Sequence, residues 1–142
     1  MAYISASDVQ AIRNELRAFF PKWKFAVRKG YNGLNVEVNI LQGSIDFVED
    51  FCAGPIAAEN AARVRQEKSM QINEFWIDRH WGHAPRAAKI LNQINEIMHN
   101  APGRAGGKKF YDHSDIQTDY FDTAFYTHLT VGRWDRPYVL TK

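Results

Sequence analysis

With one cysteine, Cys52, in 142 residues, the chain cannot form an intramolecular disulfide, which fits a reducing compartment. No apolar run approaches the roughly 20 residues that a membrane helix requires. The opening MAYISASDVQ lacks a signal-peptide pattern, so the expectation is a cytoplasmic protein. Neither sign of charge dominates: 18 Lys and Arg stand against 16 Asp and Glu, a net +2. That balance argues against a DNA mimic, and it argues only feebly for nucleic-acid binding, which usually shows a concentrated basic face. There is no Cys-x-x-Cys or His-Glu-x-x-His metal motif and no Gly-x-Ser-x-Gly elbow. Gly103-Arg104-Ala105-Gly106-Gly107 lacks the Lys-Ser/Thr ending and the preceding strand of a phosphate loop. Internal repeats, linkers and low-complexity tracts are also missing.

What is present is a ring-rich globular composition, 45% hydrophobic and 13% aromatic. The length is that of one domain, spanning 1–142. Charge is unevenly placed. Residues 1–41 carry Arg13, Arg17, Lys22, Lys24, Arg28 and Lys29 against Asp8, Glu15 and Glu37.

Val9, Ile12, Leu16, Phe19 and Phe20 recur at helical spacing after a Ser7–Gln10 capping box, and Pro21 stops that helix. Trp23, Phe25 and Val27 alternate with polar residues, and so do Leu34, Val36, Val38 and Ile40. With the Gly30–Gly33 turn between them, they predict a β-hairpin. Lys24, Arg28 and Glu37 share its polar face, where cross-strand pairing is expected. Ser44 is expected to cap a short helix, and Pro55 to open an alanine-rich, mostly exposed one. Aromatics and isoleucines in Gln71–Trp81 favour a strand. Pro85 starts a helix with an apolar stripe of Ala87, Ile90, Leu91, Ile94, Ile97 and Met98, ending near His99-Asn100 before a flexible loop. A last strand is expected over Ala124–Val131. The resulting fold class is α+β, a single domain in which helices cover one face of an antiparallel sheet of about four strands.

The segment Phe110–Pro137 concentrates aromatics beside carboxylates. It holds Asp112, Asp115, Asp119, Asp122 and Asp135 with Tyr111, Tyr120, Phe121, Tyr126 and Trp134. A hydrated loop does not need the rings, and a core does not tolerate the charges. Tyr120 and Phe121 are expected to anchor the loop, and Asp122 to pair with Arg79, Arg133 or Arg136. DHSDIQTDYFD followed by VGRWDRPY resembles the C-terminal signature of the large polyvalent protein-associated domains of phages and conjugative elements. FPKWKFAVRKG and INEFWIDRHWG are similar to the rest of such a domain, in the same order. The resemblance implies a mobile-element context rather than an activity.

His80-x-x-His83, with Asp78, Asp112, His113 and Asp115, offers metal-ligand atoms, but capping and hydrogen bonding explain such residues better. No cofactor and no metal are expected. Exposed rings flanked by arginines suit interfaces. The binding set expected is therefore Asp112, Asp115, Asp119, Asp122, Arg79, Arg133, Arg136 and Trp134. The function expected is that of a non-enzymatic accessory protein of a mobile element that binds a host or phage protein complex, such as a counter-defence inhibitor of a CRISPR complex. One alternative is a metal-dependent hydrolase or nuclease centred on Asp112, Asp115, Asp119 and Asp122. Another is a nucleic-acid-binding module using Lys22, Lys24, Arg28, Arg133 and Arg136.

Overall fold

The computed structural model describes residues 2–30, 33–115, 117 and 122–141. The first helix, α1 (Ala6–Phe19), is capped two residues before the expected Ser7. Ser5 is the cap: its Oγ accepts from the Asp8 amide at 3.1 Å, and Asp8 Oδ2 accepts from the Ser5 amide at 3.2 Å. Asp8 wins this role over Gln10 because it is buried and its other oxygen accepts from the Lys108 amide, at 3.2 Å, a hundred residues away. Val9, Ile12 and Leu16 face inward as expected, but Phe19 is exposed.

The hairpin forms from β1 (Lys24–Lys29) and β2 (Asn35–Gly43). Arg28 pairs with Glu37 at 3.1 Å directly across the ladder. Two short helices follow. α2 (Phe47–Cys52) is capped by Asp46 rather than Ser44, and α3 (Ala58–Glu67) starts after Ala57 rather than at Pro55. Only Ala61 and Val64 of α3 are buried, in keeping with its thin apolar face. Cys52 is half-buried; its Sγ donates to the Ala61 carbonyl, and burial pushes the thiol pKa up.

The Gln71–Trp81 segment is not one strand. Only β3 (Met70–Ile72) is extended; a 3-10 turn (Glu74–Trp76) and α4 (Ile77–Trp81) follow. Asn73 breaks the strand by accepting the Phe75 amide on its side chain. Ile77 and Trp81, one helical turn apart, are then buried together. α5 (Pro85–Arg104) runs past the expected stop, through Pro102. Near the end of a helix the missing Pro102 amide costs one bond, and the last turn is secured from outside. Arg104 donates to Glu15 of α1 and to Glu96, both at 2.6 Å.

The α+β class holds, and the sheet is mixed rather than wholly antiparallel. Its order is β1-β2-β4-β3, where β4 is Tyr126–Val131. β4 runs parallel to β2, with Asn35 opposite Tyr126 and Ile40 opposite Val131. A two-residue β5 (Val139–Leu140) continues along the same edge of β2, opposite Gln42 and Gly43. Leu41 lies between these two ladders. On the β1 side it is also passed over, because Lys24 pairs with Gln42 and Phe25 with Ile40. Leu41 is therefore a β-bulge.

Val36, Val38, Ile40, Leu129 and Val131 form one face of the sheet and join the core with α1 and α5. A chain of ring contacts runs from Phe25 through Trp23 and Phe47 to Trp81. Tyr138 joins it, its hydroxyl donating to the Ile45 carbonyl at 2.6 Å. No helix among the described residues is long and apolar enough to cross a membrane.

Moving the cap from Ser7 to Ser5 has a measurable consequence. Ser5→Ala should cost about 1 kcal/mol and Ser7→Ala less than about 0.5 kcal/mol. Urea unfolding of the two variants should separate them in that order; equal midpoints would return the cap to Ser7.

Candidate functional site

Two large rings among the described residues stand far out of the fold, Phe75 of the 3-10 turn at 86% and Trp134, just after β4. Once the chain leaves Val131, residues 132–138 all stand opposite the single bulged Leu41, so most of them are extruded from the sheet edge. They fold into a tight two-residue turn. The Arg133 amide donates to the Arg136 carbonyl at 2.9 Å and the Arg136 amide to the Arg133 carbonyl at 3.0 Å, with Trp134 and Asp135 at the tip. Arg133 forks onto Asp135, at 2.6 Å from Nε to Oδ1, and holds that carboxylate below its usual pKa. Gly132 makes the exit possible. Its φ is +68°, and an added Cβ would stand 2.3 Å from the Lys68 carbonyl. Trp134 is left 87% exposed.

Beside the turn is a groove of about 550 Å³ on the sheet face opposite the main core. Its floor is polar, with Glu37, Asn39, Gln71 and Thr130; α3 forms one wall through Arg63 and Glu67, and Arg133 and Trp134 close one side. Asn39 is fully buried. Its Nδ2 donates to Thr130 Oγ1 at 2.6 Å and to Glu37 at 3.1 Å, while the Thr130 hydroxyl donates to the Gly132 carbonyl. Those donor assignments leave Asn39 Oδ1 as an unpartnered buried acceptor.

The acidic segment sits at the other end of β4. That strand has six residues, roughly 20 Å, so the acidic loop entering it and the basic turn leaving it are separated by its length. The expected pairing of Asp122 with Arg79, Arg133 or Arg136 does not occur. Asp122 lies 3.5 Å from His113 Nδ1, and its amide donates to Ser114. Asp112 accepts the Ser114 amide, and hydrogen bonds from Ser114 hold its carboxylate below the usual range. Asp115 accepts the Gln117 amide. These are turn-forming bonds. Asp119, Tyr120 and Phe121 lie outside the described residues, so the expected anchoring role of the two rings falls there as well. Arg79 is elsewhere, its guanidinium 5.4 Å from the Trp76 ring centre. Of the expected binding set, the structure thus unites Arg133, Trp134 and Arg136, and groups Asp112, Asp115 and Asp122 separately.

Sequence reading missed a third cluster, between the acidic loop and β3. The Thr127 hydroxyl donates to Glu74 and lies 3.5 Å from His99 Nε2. His99 Nδ1 faces the Asn95 carbonyl at 2.7 Å, so that nitrogen carries a proton. Burial raises the Glu74 carboxyl to about 7, against the lowering effect of the Thr127 bond. A protonated Glu74 can donate to Thr127 and release the hydroxyl hydrogen toward His99, a short proton path. Nothing marked Glu74 in the sequence, because it sits inside the segment read as a strand. His83 Nε2 meets the Asp50 carbonyl at 2.6 Å. Among the described residues no three His, Cys, Asp or Glu side chains come together as a metal site. No family model, curated protein or solved structure matches the chain.

The Glu74 environment gives stability a pH dependence. The folded pKa, about 7, lies above the ordinary 4.5. The native state therefore binds more protons between those values, and Glu74's contribution is complete below pH 4.5 and lost as pH rises through 7. Glu74→Gln should match the parent at pH 4.5 and exceed it by about 1–3 kcal/mol at pH 8 in urea unfolding. Curves that stay parallel across this range would show that Glu74 is not buried as described.

Proposed function

We propose that this chain acts by binding a protein partner, through the Arg133–Arg136 turn and the groove beside it. The observation that carries the reading is Trp134, 87% exposed at the tip of a turn locked by two backbone bonds and an Arg–Asp fork. A large ring held out at this exposure does little for the fold, whereas a preorganised aromatic beside an arginine is the usual composition of an interface anchor. The groove supplies polar complements of both signs, Arg63 and Arg133 with Glu37 and Glu67.

The setting of this activity is carried by the resemblance to mobile-element domains, through DHSDIQTDYFD and VGRWDRPY. On that basis the protein is an accessory factor working in the cytoplasm of a host cell, and its partner is a host or phage protein complex. Counter-defence against a CRISPR complex is the particular role that this context suggests; no residue of the groove selects it. The hydrolase alternative is less well supported, because the carboxylates of Asp112 and Asp115 accept backbone amides of their own turns.

The partner would be recovered by affinity purification from host cells with mass spectrometry, and its affinity then titrated with purified components. Trp134→Ala should weaken binding at least about thirty-fold, corresponding to a loss of about 2 kcal/mol. Its thermal melt should be unchanged, because the ring is exposed. Asp112→Asn, at the far end of β4, should change affinity less than about threefold. Parental affinity in Trp134→Ala, or loss confined to Asp112→Asn, would move the interface off this turn.

A further inference from the structure

We propose that a second cleft, on the α1 side of the same turn, binds the phosphodiester backbone of single-stranded nucleic acid. It has a volume of about 300 Å³ and is lined by Arg13 and Arg17 of α1, Trp23 before β1, Lys24 and Phe25 of β1, and Arg136. No carboxylate among the described residues lines it. Four cations from three separate parts of the chain converge on one small concavity.

What makes this cluster informative is the convergence of its cations, since lacking a carboxylate partner is a property it shares with Arg63, Arg79, Arg86 and the other lysines among the described residues. Arg28, Arg65, Arg104 and Arg133 each reach a carboxylate at 3.1 Å or less. No ion pair is formed by Arg17, Lys24 or Arg136 within the described residues. The carboxylate that feels Arg136 is Asp135, already forked by Arg133. Arg13 is held in place by donating to the Val27 carbonyl at 2.6 Å and to Gln10 at 3.0 Å. Its charge is therefore fixed in the cleft before any ligand arrives. Like charges crowded without counter-charge raise the energy of the free protein, and an anion relieves it.

The aromatic lining favours a nucleic-acid strand over other anions. Trp23 and Phe25 are half-buried and stacked, with ring centres 6.2 Å apart and planes 16° apart. Rings set among arginines and a lysine match the alternation of base and phosphate along a single strand, which binds by stacking and backbone charge without base-specific readout. A duplex keeps its bases paired and offers no free ring to a cleft of this size. The site is distinct from the protein-binding groove, which holds Arg63 and Arg133 and lies on the other side of the turn.

The test is fluorescence anisotropy with a labelled 20-residue oligothymidylate, from low to moderate salt. If three or four phosphates are neutralised, the logarithm of affinity should fall with the logarithm of salt with a slope of about −2 to −3. Arg17→Ala/Lys24→Ala/Arg136→Ala changes exposed side chains only, so it should stay folded by circular dichroism, weaken binding at least tenfold and flatten the slope. Arg86→Ala/Lys89→Ala/Lys109→Ala removes the same charge outside the cleft and should change affinity less than threefold. Saturating oligothymidylate should quench tryptophan fluorescence, and the quench should shrink in Trp23→Phe. Equal weakening by the two triple variants would reduce the effect to net charge and overturn the site. So would displacement of the oligonucleotide by polyglutamate of equal length at equal concentration, or the absence of binding at low salt.

Discussion

The bulge at Leu41 is the constraint on which the functional end of this molecule depends. Up to Ile40, β2 is paired on both sides and presents Val36, Val38 and Ile40 to the core. At Leu41 both ladders skip a residue, and Ile40 and Leu41 are buried in succession although strand neighbours ordinarily point to opposite faces. Bulges bend a strand and re-aim what surrounds it. Here the skip leaves residues 132–138 without room in the sheet, and the turn bearing Trp134 is the result. Leu41 itself lines the cationic cleft with Lys24 and Phe25. One irregularity thus creates the protruding turn and opens the concavity next to it.

The parallel pairing of β2 and β4 is the second part of that constraint. A parallel pair needs a long crossover, and the crossover here contains α2, α3, β3, α4 and α5. It places α5 with α1 on the core side, while α3 flanks the opposite face and makes that face a groove. The buried Asn39–Thr130–Gly132 chain of hydrogen bonds ties the two parallel strands together on this polar side and fixes where the turn departs. It also leaves one buried acceptor unpaired, which costs about 1–3 kcal/mol. An apolar residue at position 39 would avoid that cost but would lose the link from β2 to the exit of β4. The polar floor therefore contributes position more than stability.

Much of this was readable in residue order, and the failures have physical causes. The hairpin, α1 and the stripe of α5 were legible because a single periodicity runs through each. The Arg28–Glu37 pair followed from strand parity. Gln71–Trp81 misled because aromatics and isoleucines satisfy both templates, and only Asn73, acting through its side chain, decides where extension stops. The cap moved to Ser5 because Asp8 is also required by Lys108, a contact invisible to local reading. Pro102 looked like a stop because the Arg104 bond to Glu15, in another helix, lies outside any local window. At the site, Arg133, Trp134 and Arg136 share one turn because they are close in sequence, whereas Arg79, expected with them, lies over Trp76. The aspartates were grouped with them because they are close in sequence, whereas β4 separates them in space. Arg13 and Arg17 looked like an ordinary wet helix face, and their convergence with Lys24 and Arg136 needed the tertiary fold. The adjacent apolar pair Ile40-Leu41 was the one local trace of the bulge.

The turn divides its surroundings into two sides with different electrostatics. Arg133, only 17% exposed in its side chain, lies toward the sheet groove with its charge engaged by Asp135. Arg136, two bonds across the same turn, lies toward the cationic cleft with its charge open. Contacts in the groove can draw on the Trp134 ring, on hydrogen bonds and on the opposite charges of Arg63 and Glu67, and should vary less with salt. Contacts in the cleft rely on uncompensated charge and should weaken steeply with salt. Because each side draws on a different arginine, an occupant of one need not displace an occupant of the other. The backbone bonds between Arg133 and Arg136 are reciprocal, so a shift of the turn toward either side is felt on both. A protein in the groove and a strand in the cleft would thus be coupled through this turn, and the sign of that coupling would be set by whether the two occupants favour the same position of Trp134.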